Sequence, residues 1–200
     1  GEFDESDLLC GAHVPYDEKA AAELRASGEP PSPLHNNCSG KHAGMMLATR
    51  VMDVSSNRYI DPDHPVQALM RTTLAEFAGV TNDDIGIAID GCGVPAFFLP
   101  LYRAAFAYAR LMATSSGEGP GALDRYAESA TRVVESMTSF PQSVAGNWLI
   151  TTPLMSAFNG ARLATQGAAG FYAMALSPSR NCDFRHRRRG ADVVSLGVHI

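Results

Sequence analysis

Apolar positions recur along this chain at two spacings. From residue 39 onward Ala43, Met46, Leu47 and Met52 fall at helical intervals, which predicts a helix to about residue 53 with Ser39 as its N-cap. Val66, Leu69, Met70 and Leu74 line one face of a second helix over residues 65–77, with Asp63 as cap and Gly79 just past its end. A shorter helix is predicted over residues 17–28, where Asp17 caps and Gly28, followed by Pro30 and Pro31, stops it. Residues 101–113, rich in Ala, Leu and aromatics, read as a buried helix, and residues 123–137 as another whose polar face carries Arg125, Glu128, Arg132 and Glu135. Residues 85–89 alternate small with β-branched side chains and read as a buried strand. Beyond Pro141 the pattern predicts a short helix over 151–158 and two strands, 161–165 and 171–176, joined by a turn at 167–170.

Composition narrows the class. With 200 residues, 46% of them hydrophobic and 18% charged, the chain is of ordinary globular type and long enough to bury one core without disulfides. The longest nearly apolar run, residues 94–101, contains Pro95 and Pro100 and falls far short of the ~20 residues that span a bilayer, so no membrane partner is expected. The net charge of −5 conceals an Arg-rich decade, residues 180–189, in an otherwise acidic chain, which argues against nucleic acid as the main partner. That end reads as a solvated tail. Four widely spread cysteines, Cys10, Cys38, Cys92 and Cys182, favour reduced thiols or metal ligands over a disulfide framework, and with them a cytoplasmic location.

Two segments concentrate acid/base and ligand types beside glycines: His35-Asn36-Asn37-Cys38-Ser39-Gly40-Lys41-His42-Ala43-Gly44-Met45 and Asp90-Gly91-Cys92-Gly93-Val94-Pro95. Cys38 and Lys41, three apart at a helix start, project to the same side, and a thiolate from the glycine-flanked turn at Cys92 can close a site. Two thiolates favour zinc, although Lys41 must be neutral to ligate it. Two other readings stay open. Cys38 and Cys92 can be buried small hydrophobes with Lys41 paired to Asp90, or Cys38 and His42, one turn apart, can form a thiol nucleophile and its base. His64 reads as a loop residue at a helix start.

Together with Cys10-Gly11-Ala12-His13 and Asp61-Pro62-Asp63-His64-Pro65-Val66-Gln67, those two segments form four ordered motifs. In them the chain resembles the asparaginase II family, the thermolabile amidohydrolases of the rhizobial type. A weaker continuation runs through residues 139–146 and 167–176. The resemblance implies an α/β fold, a mixed sheet packed with helices, similar to the serine β-lactamase/glutaminase fold and incomplete here. It places an asparaginase II-like domain over residues 1–176 and a divergent Arg-rich tail over 177–200. It also implies hydrolysis of L-asparagine to L-aspartate and ammonia, a zinc ion on Cys38, Lys41 and Cys92, a substrate pocket lined by His42 and Asp90, and a homodimer in full-length relatives.

The departures bear on activity. The family's nucleophile is a serine in a Ser-x-x-Lys dyad, which attacks the side-chain amide, releases ammonia and leaves a β-aspartyl ester for water to hydrolyse. This chain has two lysines, Lys19 and Lys41, and three positions before them stand Tyr16 and Cys38, so it contains no Ser-x-x-Lys. The resemblance therefore implies roughly a hundred further residues upstream in a full enzyme, and a chain inactive alone. Where relatives carry a lysine before Gly-Ala-Glu-Gly, the sequence reads Thr165-Gln166-Gly167-Ala168-Ala169-Gly170. Three functions follow as expectations: an asparaginase-family enzyme present as a fragment, a catalytically silent zinc-binding remnant, or a thiol hydrolase built on Cys38 and His42.

Overall fold

The computed structural model describes residues 3–158, 162–167 and 171–176 and the backbone of the strand at 193–194. Among the described residues helices dominate, with two small antiparallel sheets, an α/β composition. The helices are α1 (Glu18–Ser27), α2 (Ser39–Val51), α3 (Pro65–Ala78), α4 (Leu101–Ser115), α5 (Ala127–Ser139), α6 (Pro141–Ala145) and α7 (Thr151–Ser156). The strands are β1 (Gly86–Ile89), β2 (Pro95–Phe98), β3 (Arg162–Gln166), β4 (Tyr172–Leu176) and β5 (Val193–Val194). The chain divides into two compact units, Gly1–Thr73 with Asn82–Phe98, and Leu74–Thr81 with Leu99–Ile200.

In the first unit, α1 begins and ends as its sequence dictates. Asp17 Oδ1 accepts the Ala20 N–H at 2.8 Å, and Gly28, in the left-handed conformation at φ 74°, closes it. The start of α2 differs from expectation. Cys38 rather than Ser39 occupies the cap and makes no side-chain capping bond; its own N–H is taken by Asn36 Oδ1 at 2.8 Å. An Asn two residues before Cys38 closes an Asx-type turn, and the helix starts one residue earlier than a Ser39 cap would place it. At α3 the capping acceptor is His64, whose Nδ1 receives the Val66 N–H at 3.2 Å and whose Nε2 then donates to Ser55 O at 2.9 Å, while Asp63 gives its N–H to Asp61. The core beneath these helices gathers Leu8, Cys10, Met45, Met46, Tyr59, Val66, Cys92 and Val94.

β1 and β2 form a hairpin in which Ile87 pairs with Phe97 and Ile89 with Pro95. The buried strand expected at 85–89 is corrected here. Ile85 is buried, but all of β1 is exposed, because among the described residues it pairs only with β2. Alternation of Gly and Ala with Ile fits an exposed hairpin arm as well as a covered strand.

The second unit packs α4 and α5 against β3–β4–β5, with β3 and β4 antiparallel from the pair Arg162–Leu176 to the pair Gln166–Tyr172. Met112, Val134, Leu163 and Ala175 form its core, and a second cluster holds Phe77, Ala78, Ala107 and Leu123. Only the later half of α4 is well buried, and Leu101, Tyr102 and Phe106 are exposed. The helix expected from 123 splits, since Gly121–Tyr126 is a 3-10 turn that buries Leu123 before α5 begins. Arg103 and Arg110 donate to the backbone carbonyls of residues 76–79, at and just past the end of α3. Most of the Arg-rich tail, and residues 168–170 of the predicted turn, lie outside the described residues; β5 is the described part of the tail, paired to β4 through Met174 and Ala175.

Candidate metal and substrate site

The two chemistry-bearing segments meet within the first unit. Cys38 stands at the start of α2, and Lys41 follows one turn on. Asp90 and Cys92 come from the hairpin turn, closed by Asp90 N–H to Val94 O at 2.8 Å and Gly93 N–H to Asp90 O at 2.9 Å. Gly93 sits at φ +88°, where a side chain is strained, and a Cβ there would also touch Ile60. The turn thus needs glycine to aim Cys92 inward.

The sulfurs of Cys38 and Cys92 and a carboxylate oxygen of Asp90 all lie within 4.8 Å of one another. Asp90 Oδ2 accepts from Cys92 Sγ at 3.3 Å and pairs with Lys41 Nζ at 3.2 Å, while its Oδ1 accepts the Gly91 N–H at 2.8 Å. Each partner answers a charge. Partial burial raises the Asp90 carboxyl, but the bonds from Cys92, the Gly91 amide and Lys41 outweigh it and hold the carboxyl below its ordinary value. Burial likewise pulls the Lys41 ammonium down, and the opposing influence of Cys38, Asp90 and Cys92 leaves it raised. The Cys38 thiol is pushed up by burial and by its bond with Cys92, with Lys41 acting the other way.

Two sulfurs and a carboxylate oxygen this close could hold a metal ion, and a thiol-rich donor set is of the type that suits a soft or borderline cation. Asp90 joins Cys38 and Cys92 as a donor that sequence reading had placed in the substrate pocket. Lys41, read from the resemblance as a ligand, reaches the same cluster as an ammonium paired with Asp90.

His42 lies elsewhere than a thiol-hydrolase reading requires. Its ring is fully buried, with Nδ1 2.6 Å from Tyr59 Oη and Nε2 without a hydrogen-bond partner among the described residues. No bond joins it to Cys38, whose thiol is raised rather than lowered. The Cys38–His42 nucleophile pair is therefore not assembled: one helical turn of spacing allowed it, and Tyr59 took the imidazole instead.

Sequence reading gave Asn36 no role, yet it builds the site. Buried, it donates through Nδ2 to Cys10 O at 2.9 Å and Gly11 O at 3.1 Å, and accepts the Cys38 N–H through Oδ1. One amide thus binds the segment around Cys10 to the start of α2. The signal was present in the motif, as an Asn two residues before a helix start.

The family model described as L-asparaginase II matches residues 1–186. The chain belongs to the asparaginase II family. The match covers both site segments and runs ten residues past Leu176. Comparison with curated proteins found no match. Membership of the asparaginase II family makes the chemistry that of an L-asparaginase-like amidohydrolase. No helix among the described residues is long and apolar enough to cross a membrane.

Proposed function

We propose that this chain carries the metal-organising and substrate-contacting part of an L-asparaginase, the enzyme class that converts L-asparagine and water to L-aspartate and ammonia. The observation that supports this reading is the convergence of Cys38, Lys41, Asp90 and Cys92 from two segments 49 positions apart, within a chain matched to the family almost throughout.

Cys38, Cys92 and Asp90 would hold zinc, with Lys41 beside them as partner or fourth ligand. When bound, the ion supplies a fixed positive charge that organises polar groups around an amide substrate. The chain's own residues do the rest. Asp90 is a carboxylate at neutral pH and suits the α-ammonium of an amino-acid substrate. His42, its ordinary pKa lowered by burial and by the Lys41 charge, is a neutral imidazole and can donate one hydrogen bond.

The absence of Ser-x-x-Lys removes the nucleophile that the resemblance assigns, so the chain by itself binds substrate without turning it over. Ammonia release from L-asparagine by the purified chain, with and without zinc, tests this, with L-aspartate binding followed by calorimetry. Binding without ammonia is the expected result. Turnover would overturn the missing-nucleophile reading, and absence of binding would leave a metal site without a substrate.

A further inference from the structure

Tyr59 and His42 form a buried pair with a proton balance that can be worked out. Tyr59 is 1% exposed and held at both ends: its hydroxyl oxygen accepts the Leu9 N–H at 2.9 Å, and its carbonyl accepts Gln67 Nε2–H at 2.8 Å. The His42 ring meets it edge-on, with centroids 5.5 Å apart and planes at 79°. Between them lies the 2.6 Å contact from Tyr59 Oη to His42 Nδ1.

A phenol has one proton to give. If Tyr59 donates it to Nδ1, the oxygen gives one bond and receives one from Leu9, and the proton of the neutral ring sits on Nε2. If Nδ1–H donated instead, the phenolic O–H would be a buried donor with no acceptor, and bare Nε2 an acceptor with no donor. The first arrangement leaves one orphan and the second leaves two, so the first prevails. What remains is an N–H at Nε2, fully buried and unpaired among the described residues. His42 follows Lys41 directly and stands one helical turn beyond Cys38.

We infer that Tyr59 is a positioning residue for substrate: it fixes the tautomer of His42 so that Nε2–H is held as a donor for a carbonyl or carboxylate oxygen of an amino acid with a side-chain amide. The inference rests on the asparagine reading for the identity of that acceptor. The tautomer rests on the structure alone. A resident water, or Gln67 Oε1, which is also buried without a partner, are the rival acceptors.

The test is nitrogen-15 NMR of the histidine-labelled full chain, with His42 assigned through its contacts to the Tyr59 ring. The expected spectrum has His42 Nε2 protonated and Nδ1 bare, and L-aspartate, chosen because it is not turned over, moves the Nε2–H resonance. Tyr59→Phe keeps the ring and removes the proton donor, so it should mix or reverse the tautomer and weaken L-aspartate binding by about tenfold, the worth of one hydrogen bond. A purely structural Tyr59 would give a variant that is less stable but has the same tautomer and the same ligand shift, and that result overturns the inference. So does a wild-type spectrum with the proton on Nδ1, whatever the variant does. If L-aspartate binds by calorimetry but leaves Nε2–H unmoved, a rival acceptor holds the proton and the inference fails while the asparagine reading stands. If neither L-aspartate nor L-asparagine binds, the asparagine reading falls, and the acceptor named here falls with it.

Discussion

Lys41 Nζ lies 3.2 Å from Asp90 Oδ2, an ion pair that ties the first turn of α2 to the hairpin turn between β1 and β2 across 49 positions of sequence. Both side chains are 39% exposed, so solvent screens the pair and it contributes only about 0–1 kcal/mol to folding. Its weight falls on the site. Asp90→Asn should leave the urea midpoint nearly unchanged yet lower zinc affinity by about 10- to 100-fold, since it removes a donor and frees Lys41. Competition with a chromophoric chelator measures this. An unchanged affinity would remove Asp90 from the metal's surroundings.

The two sulfurs set the stoichiometry. The chain should bind zinc at about one ion per molecule, and Cys38→Ala or Cys92→Ala should each abolish that binding. Cys10, buried in the same core with its thiol on Pro33 O at 3.5 Å, is absent from the Cys38–Asp90–Cys92 donor group, and Cys10→Ala should keep the ion. Elemental analysis after gel filtration separates the three variants.

Asn36 predicts a change in both stability and function. Asn36→Ala removes three hydrogen bonds at a buried position, leaving the Cys10 and Gly11 carbonyls and the Cys38 amide to find other partners. The cost should be about 2–3 kcal/mol by urea unfolding, with weaker zinc binding as the start of α2 loosens. A loss under about 0.5 kcal/mol would mean that water replaces the amide without penalty.

In the second unit, acid sensitivity should trace to Glu76. Tyr126 Oη donates to Glu76 Oε2 at 2.7 Å and Arg125 pairs with Oε1; the Tyr126 bond foremost, then Arg125, hold this carboxyl below its ordinary value. A carboxylate with a lowered folded-state pKa adds stability above its unfolded value and loses it as pH falls through the folded one. Wild type should therefore exceed Glu76→Gln in stability at neutral pH, and the gap should close as pH drops below the ordinary carboxylate range. Unfolding curves at successive pH values check the sign. A gap that widens in acid would refute it.

Local chemistry made several features readable in advance. Asp17 and Gly28 bound α1 because a carboxylate at an N-terminus and a glycine at positive φ act within one turn. The β3–β4 pair was legible from two apolar runs around a glycine-rich stretch. Less legible were the cap of α2, where Cys38, its amide held by Asn36, stands in place of Ser39, and the exposure of β1, because both depend on groups outside the window in which periodicity is read. The site divides the same way. Cys38, Lys41 and Cys92 stood out as candidates for one site by residue type and spacing. The Lys41–Asp90 pair was one of the readings left open, and the structure forms it; that Tyr59 claims His42 was not legible.

The sequence by itself determined which residue types stand at the start of α2 and in the hairpin turn, where α1 begins and ends, and the family to which that order of motifs belongs. Only the tertiary structure decided partners. Bringing Asp90 to Lys41, Asn36 to Cys10 and Tyr59 to His42 joins positions 49, 26 and 17 apart. Such pairings are set by the packing of whole elements around a shared core, and no local propensity encodes them.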